Sequence, residues 1–194
     1  SFKNGNVLYT PRNVELKNTD GQLVFKNSDL FIENLECDIS GNKLIMNGHA
    51  KNLVTLLSTE PAKAQIDWNI YTPSLNLNPF TYLLQPREKT KGNETNQYKA
   101  NKVASGIDAV LENGSLNVNL KAASLQYRKF EANDLAANIS LLQNNYTVNS
   151  LTMKHAGGTI NLTGSLVINK ENYDNVNVNA TFQNVDVNKV FEAF

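Results

Sequence analysis

The chain has 194 residues, 41% of them apolar and only 19% charged, and its cations and anions balance to a formal net charge of zero. That balance argues against a nucleic-acid surface, which needs clustered Lys and Arg to neutralise phosphates. One cysteine, Cys37, rules out an intrachain disulfide, and two histidines leave little from which to build a metal centre of three or four convergent ligands.

Asparagine is the residue in excess, at roughly thirty copies, well above ordinary usage. A solvated sheet face and an AT-rich genome would each produce such an excess. No stretch approaches the roughly twenty apolar residues of a membrane span, and no signal-peptide pattern opens the chain. The sequence starts at Ser1-Phe2-Lys3, already strand-like, and is read as a fragment of a longer protein.

Taken in chain order, the pattern is mostly period two. Leu23 and Phe25 open it, followed by Leu30 and Ile32, and then by Leu35, Cys37 and Ile39 on the opposite parity. Leu44 and Met46 come next, a possible helical turn at Leu53 to Leu57, and then Ile66, Trp68 and Ile70 alternating with Asp67 and Asn69. Pro79 to Leu84 suits one or two turns of helix. Gln85 to Lys102 is charged and polar, with Pro86 and Gly92, and reads as a linker or mobile loop. Val103, Ile107, Val110 and Leu111 form a helical stripe that stops at Asn113-Gly114. Strand alternation then returns in Leu116, Val118 and Leu120, in Ile160 and Leu162, and in Val176, Val178, Ala180 and Phe182. Lys189 to Phe194 could close the chain with a short helix. Each alternating run would bury one face and wet the other, as antiparallel sheets do.

The halves on either side of the linker match when slid by about 116 positions. Leu23 and Phe25 fall on Ile139 and Leu141; Ile32, Leu35 and Cys37 fall on Val148, Leu151 and Met153; Gly41 and Gly48 fall on Gly157 and Gly164. After a gap of about six residues the match resumes with Ile66 on Val176, Trp68 on Val178 and Leu77 on Val187. Both copies change apolar parity at the same place, between Ile32 and Leu35 and between Val148 and Leu151. That change implies a bulge or bend in the strand. The expected fold is therefore all-β, mainly antiparallel, with long bent strands and a few short helices. It comprises two tandem copies of one sheet unit forming a groove or an open sandwich. The expected organisation is a first β repeat over 1–84, a charged linker over 85–102, and a short helix plus second β repeat over 103–194.

Candidate chemistry is sparse. His49 and His155 are not equivalent in the two copies, and each reads as a polar residue beside a glycine turn. Gly157-Gly158 lies between strands, so its amides open no helix, and a turn or bulge is the better reading. Neither a Gly-x-Ser-x-Gly elbow nor a phosphate-cradling loop is present. Glu33, Glu36 and Asp38 alternate to the wet side of their segment, and Cys37 reads as a buried structural thiol. No catalytic residue, metal or cofactor is assigned, and the chain is expected not to be an enzyme. Tyr71, Phe80, Tyr82, Tyr127, Phe130, Phe182, Phe191 and Phe194 offer an alternative, a glycan-binding or adhesion module using exposed aromatics. Core packing competes with that reading for most of them.

Two units too small to close leave sheet edges that must be covered or pair with more of the same. A bent sheet of long alternating strands also presents one extended apolar face, whose natural ligand is an acyl chain. The expected lining is Leu44, Met46, Ile66, Trp68 and Ile70 in the first unit. In the second it is Leu116, Val118, Leu120, Ile160, Leu162, Val176, Val178 and Phe182. A closed sandwich with a dry core remains the competing arrangement.

From Gly114 to Phe194 the second copy resembles the C-terminal region of the AsmA-like family. The resemblance lies in Ser115-Leu116-Asn117-Val118-Asn119-Leu120, Leu125-Gln126-Tyr127 and Asn133-Asp134-Leu135-Ala136-Ala137-Asn138-Ile139. It continues in Leu151 to Ile160, the strand around Gly164, and Asn184-Val185-Asp186-Val187-Asn188-Lys189-Val190-Phe191. The first copy carries a weaker version ending at Pro73-Ser74-Leu75-Asn76-Leu77-Asn78-Pro79-Phe80. This resemblance implies a periplasmic protein of the Gram-negative envelope, anchored in the inner membrane by an N-terminal helix outside this sequence. It also implies a role in outer-membrane biogenesis or homeostasis, similar to bridge-like lipid-transfer proteins with repeated β-groove units. The implied partners are phospholipid or another acyl-chain lipid, and neighbouring β repeats of the full-length protein. The asparagine excess fits a Bacteroides-like source.

Overall fold

The computed structural model describes residues 1–9, 14–56, 59–60, 63–80, 114–142, 145–167 and 174–192, without the side chain of Phe191. The expected linker over 85–102 and the helix at Val103 to Leu111 lie outside these residues.

Among the described residues ten strands form one open sheet whose spatial order is the chain order. The first unit contains β1 (Phe2–Tyr9), β2 (Val14–Lys26), β3 (Asp29–Ile39), β4 (Asn42–Lys51) and β5 (Gln65–Asn76). The second contains β6 (Ser115–Tyr127), β7 (Phe130–Leu142), β8 (Asn145–His155), β9 (Gly158–Val167) and β10 (Asn175–Gln183). Among the described residues two short helices accompany them: α1 (Leu53–Leu56), on the segment expected to form a turn, and α2 (Val187–Glu192), overlapping the segment expected to close the chain. The fold is all-β in two tandem units, as the alternation indicates. The units do not stack as facing sheets. β5 and β6 pair side by side, and they pair in parallel, from Gln65↔Ser115 to Asn76↔Gln126. Every other neighbouring pair is antiparallel.

The repeat is visible in the hydrogen-bond register. Lys51↔Gln65, Gly48↔Trp68 and Met46↔Ile70 in the first unit correspond to Val167↔Asn175, Gly164↔Val178 and Leu162↔Ala180 in the second. The change of apolar parity is a register shift in both, between Ile32 and Leu35 against Gly48 and Met46, and between Val148 and Leu151 against Gly164 and Leu162. A second pair of bulges, in β2 and β7, places Asn18 and Asp134 at φ of 49° and 53°. Left-handed backbone is accessible to Asn and Asp, whose short polar side chains bond locally. Between β5 and β6, Pro73 and Ala123 are left unpaired between the Thr72↔Ala122 and Ser74↔Ser124 pairs, with no change of register. Bulges repeated at similar levels in adjacent strands bend a sheet coherently. The hairpin turns match as well. Ser40-Gly41 and Ala156-Gly157 each have φ positive at both positions, 50° and 82° against 49° and 84°, as a type I′ turn requires.

Two apolar clusters lie on the same side of the sheet, one within the first unit and one in the second unit that also draws on β5. Leu35, Cys37, Leu44 and Met46 form the first; Leu125, Phe130, Leu135 and Ile160, with Ala122, Ala132 and Leu75 of β5, form the second. Among the described residues no helix is long and apolar enough to cross a membrane.

Candidate functional site

Because paired residues share a face, the register assigns every strand position to one side of the sheet. Phe25, Leu30, Ala50 and Ile66 are successive partners across β2 to β5. Leu116, Leu141, Tyr146, Leu166 and Val176 continue the same rung across β6 to β10. One level along, Leu23, Ile32, Gly48 and Trp68 are followed by Val118, Ile139, Val148, Gly164 and Val178. A third rung runs through Leu35, Met46, Ile70 and Leu120, then Ala137, Leu151, Leu162 and Ala180. No charged, amide or Ser/Thr side chain interrupts these rungs, and the Tyr146 phenol is their one hydroxyl. Eight strand spacings at about 4.8 Å give the first two a length of roughly 38 Å.

All the residues expected to line a groove fall on this one face. Leu44, Met46 and Ile160 are buried in the clusters; Ile66, Trp68, Ile70, Leu116, Val118, Leu120 and Leu162 are half-buried; Val176, Val178 and Phe182 are exposed. The lining expected from alternation omitted several rung members, among them Leu30, Ile139, Leu141, Val148 and Leu151. The internal duplication carried the signal for most of them, since it aligns Ile139, Leu141, Val148 and Leu151 with apolar residues of the first unit.

Exposure is graded along the strands. The third rung contains Leu35 and Met46, 7% and 2% exposed; the first contains Phe25 at 60% and Val176 at 67%, although its Ala50 is buried and most of its other members are half-buried. The face is thus a trough, closed over its clusters at one level and open at the other. Trp68, the chain's single tryptophan, is half-buried on the second rung between Gly48 and Val118. A Cβ at Gly48 would stand 3.3 Å from the indole Cδ1, so glycine there gives the ring its place on the floor. The indole Nε1–H is buried and has no acceptor among the described residues.

The opposite face is built from asparagine. Asn119 Nδ2 donates to Asn69 Oδ1 at 3.0 Å, Asn138 to Asn119 at 2.7 Å, and Asn149 to Asn138 at 2.7 Å, a ladder crossing β5 to β8. Asn117 donates to Asp67 at 3.0 Å. The asparagine excess therefore has a structural use: an amide both donates and accepts, so one residue type can bridge strand after strand. His49 also sits on this face, inside β4 rather than beside a turn. It stacks on Phe31 at 4.4 Å and lies 3.0 Å from Asp29 Oδ2. The Asn52 backbone N–H, then the His49 ring, hold the Asp29 carboxyl below its ordinary value.

His155 precedes the Ala156-Gly157 turn, as expected, and stacks on Phe130 with Nδ1 at 2.5 Å from the Glu131 carbonyl. It borders a cleft of about 750 Å³ whose wall carries Lys129, Lys154 and Lys189 against Glu131 and Glu192. Lys154 is committed to Asp134 at 2.8 Å, so the cleft has no concentrated charge of either sign. Burial, then the neighbouring Asp38 charge, push the Cys37 thiol up to about 11, leaving it protonated and unreactive near neutrality. Among the described residues no three His, Cys, Asp or Glu side chains gather as metal ligands. The aromatics expected for a sugar platform are dispersed. Tyr71 is on the asparagine face, Phe182 is on the trough face, and Phe130 is buried. Tyr82, Phe191 and Phe194 lie outside the described side chains.

Fold and site together define an open β-trough, apolar on one face and amide-laddered on the other. No family model, curated protein or solved structure matches this chain.

Proposed function

We propose that this chain is a non-catalytic periplasmic module of a Gram-negative envelope protein that shelters or conducts lipid along its trough. The role would belong to outer-membrane biogenesis or homeostasis, as in the AsmA-like family that the sequence resembles. The full-length protein would be anchored in the inner membrane. One observation carries the reading: apolar rungs cross β2 to β10 with no charged or amide side chain among them, and their outer level is exposed at Phe25, Tyr146 and Val176. Each buried methylene contributes about 0.8 kcal/mol. A leaflet's acyl chains reach across about half of a 30 Å hydrocarbon core. A trough of roughly 38 Å therefore has room for two such chains end to end.

Trp68 makes the proposal directly measurable. Phospholipids brominated at mid-chain should quench its emission, and native mass spectrometry of the bacterially expressed chain should show co-purified phospholipid. Val118→Asp, beside Trp68 on the floor, should abolish both signals, while Ala136→Asp, exposed on the other face opposite Lys121, should leave them intact. An apo mass together with quenching by water-soluble bromide but not by brominated lipid would refute the proposal.

A further inference from the structure

The two outer edges of the sheet are unlike. β1 carries Lys3 and two register shifts against β2, with Asn4 at φ 50°, the devices by which natural edge strands discourage pairing. β10 has none of these. Its sequence, Asn-Val-Asn-Val-Asn-Ala-Thr-Phe-Gln, contains no charge, proline or glycine, and it pairs with β9 through nine consecutive residues without a shift. Val176, Val178 and Phe182 are 67%, 57% and 54% exposed, and among the described residues no strand lies beyond them.

The first unit shows what this edge is shaped to receive. β5 occupies in that unit the register that β10 occupies in the second, and its outer edge is covered by β6, running parallel. There Asp67 and Asn69 accept hydrogen bonds from Asn117 and Asn119, both at 3.0 Å. The corresponding residues of β10 are Asn177 and Asn179. We infer that the β10 edge is a strand-acceptor site for an extended segment of the β6 pattern, running parallel to β10. Its apolar residues extend the trough beside Val176, Val178 and Ala180, and its asparagines extend the amide ladder from Asn177 and Asn179. The inference is independent of what the trough holds.

The test is a synthetic peptide of residues 114–124 added to the intact chain, with cysteine pairs reading polarity and register. Parallel pairing in the β5–β6 register sets peptide position 115 beside residue 175 and position 121 beside residue 181. Neighbouring strands about 4.8 Å apart are within disulfide reach. Asn175→Cys should therefore cross-link to the peptide carrying Ser115→Cys, and Thr181→Cys to that carrying Lys121→Cys, with the exchanged combinations silent. A peptide with its apolar and asparagine positions interchanged should bind at least about tenfold more weakly. Both cysteine variants change exposed positions, and an unchanged thermal transition confirms that they fold. Cross-linking in the exchanged combinations, equal binding of the interchanged peptide, no binding at all, or β10-to-β10 dimers in preference to peptide would each overturn the inference.

Discussion

The two units solve one joint in two ways. In both, the strand that ends the unit passes over the hairpin between its third and fourth members. In the first unit Asn42 follows that hairpin. It is 1% exposed, accepts the Asn76 N–H at 2.6 Å and returns a bond from Nδ2 to the Asn76 carbonyl at 3.2 Å. In the second unit the same place holds Gly158, and the chain descends onto it: the Asp186 N–H reaches the Ala156 carbonyl at 3.1 Å. An amide spacer in one copy is replaced by direct backbone contact in the other. Register is thus kept while the side chain that fixes the joint changes.

Gly158→Ala is the most damaging way to break this comparison. A Cβ there would lie within 2.2 Å of the Gln183 carbonyl oxygen and 2.4 Å of the Asn184 carbonyl carbon, both backbone atoms that cannot rotate aside. A loss of about 3–4 kcal/mol is expected by denaturant titration. It should come with faster amide exchange at Asp186 than at Asn76. Asn42→Ala should reverse that order of exchange, because it strips a buried N–H of its acceptor, at about 2 kcal/mol. Gly41→Ala, at φ 82° with nothing within 4 Å, meets only backbone strain and should cost about 1 kcal/mol.

The corresponding lining residues Met46 and Leu162 separate the units by neighbourhood. Met46 is 2% exposed, with β5 and then β6 beyond it; Leu162 is half-buried, with only β10 beyond among the described residues. Met46→Ala should destabilise by about 3 kcal/mol and Leu162→Ala by about half of that, since a partly exposed site loses less transfer energy and leaves a smaller cavity. Equal costs would mean that burial in the trough does not depend on how many strands follow.

How much of this was legible in the sequence depends on which strands carried apolar markers. The bulges in β3 and β8 were readable because Ile32, Leu35, Val148 and Leu151 sit on both sides of the slip. Those at Asn18 and Asp134 were not. Between Leu16 and Leu23 no large apolar residue marks the parity, and around Asp134 the inward positions are held partly by Ala132 and Ala137, whose small side chains give a weak pattern. The parallel join of β5 to β6 was invisible for another reason: alternation records which side a residue faces and says nothing of strand direction. The trough face followed from parity; the ladder on the other face required the register.

Cys37 gives a pH-dependent contrast, since the equivalent position of the second unit holds Met153, which does not titrate. Burial raises the thiol from its ordinary value of 9.0 to about 11, so the folded chain keeps a proton that the unfolded chain releases. The unfolded state is therefore favoured as pH rises from 9 towards 11, with a loss of up to about 2–3 kcal/mol, and no effect is expected below that window. The wild-type stability curve should fall more steeply there than that of Cys37→Ala. Lysines titrating in the same range contribute to both curves, so the difference isolates the thiol. Parallel curves would show that Cys37 is not buried as described.

The smallest expected effect bears most closely on the open edge. Asn119 stands mid-ladder, donating to Asn69 and accepting from Asn138. Asn119→Ala should cost about 1 kcal/mol, the scale of an exposed cross-strand pair lost on both sides. Asn179 corresponds to Asn69 but has no β6 beside it, so Asn179→Ala should be almost neutral in the chain alone, within about 0.5 kcal/mol. The difference between the two costs measures what a following strand adds to the ladder. It should shrink when the 114–124 peptide is present, because Asn179 then gains the partner that Asn69 already has. If Asn179→Ala instead costs as much as Asn119→Ala without peptide, the β10 edge is already paired in the free chain, and the contrast between β5 and β10 disappears.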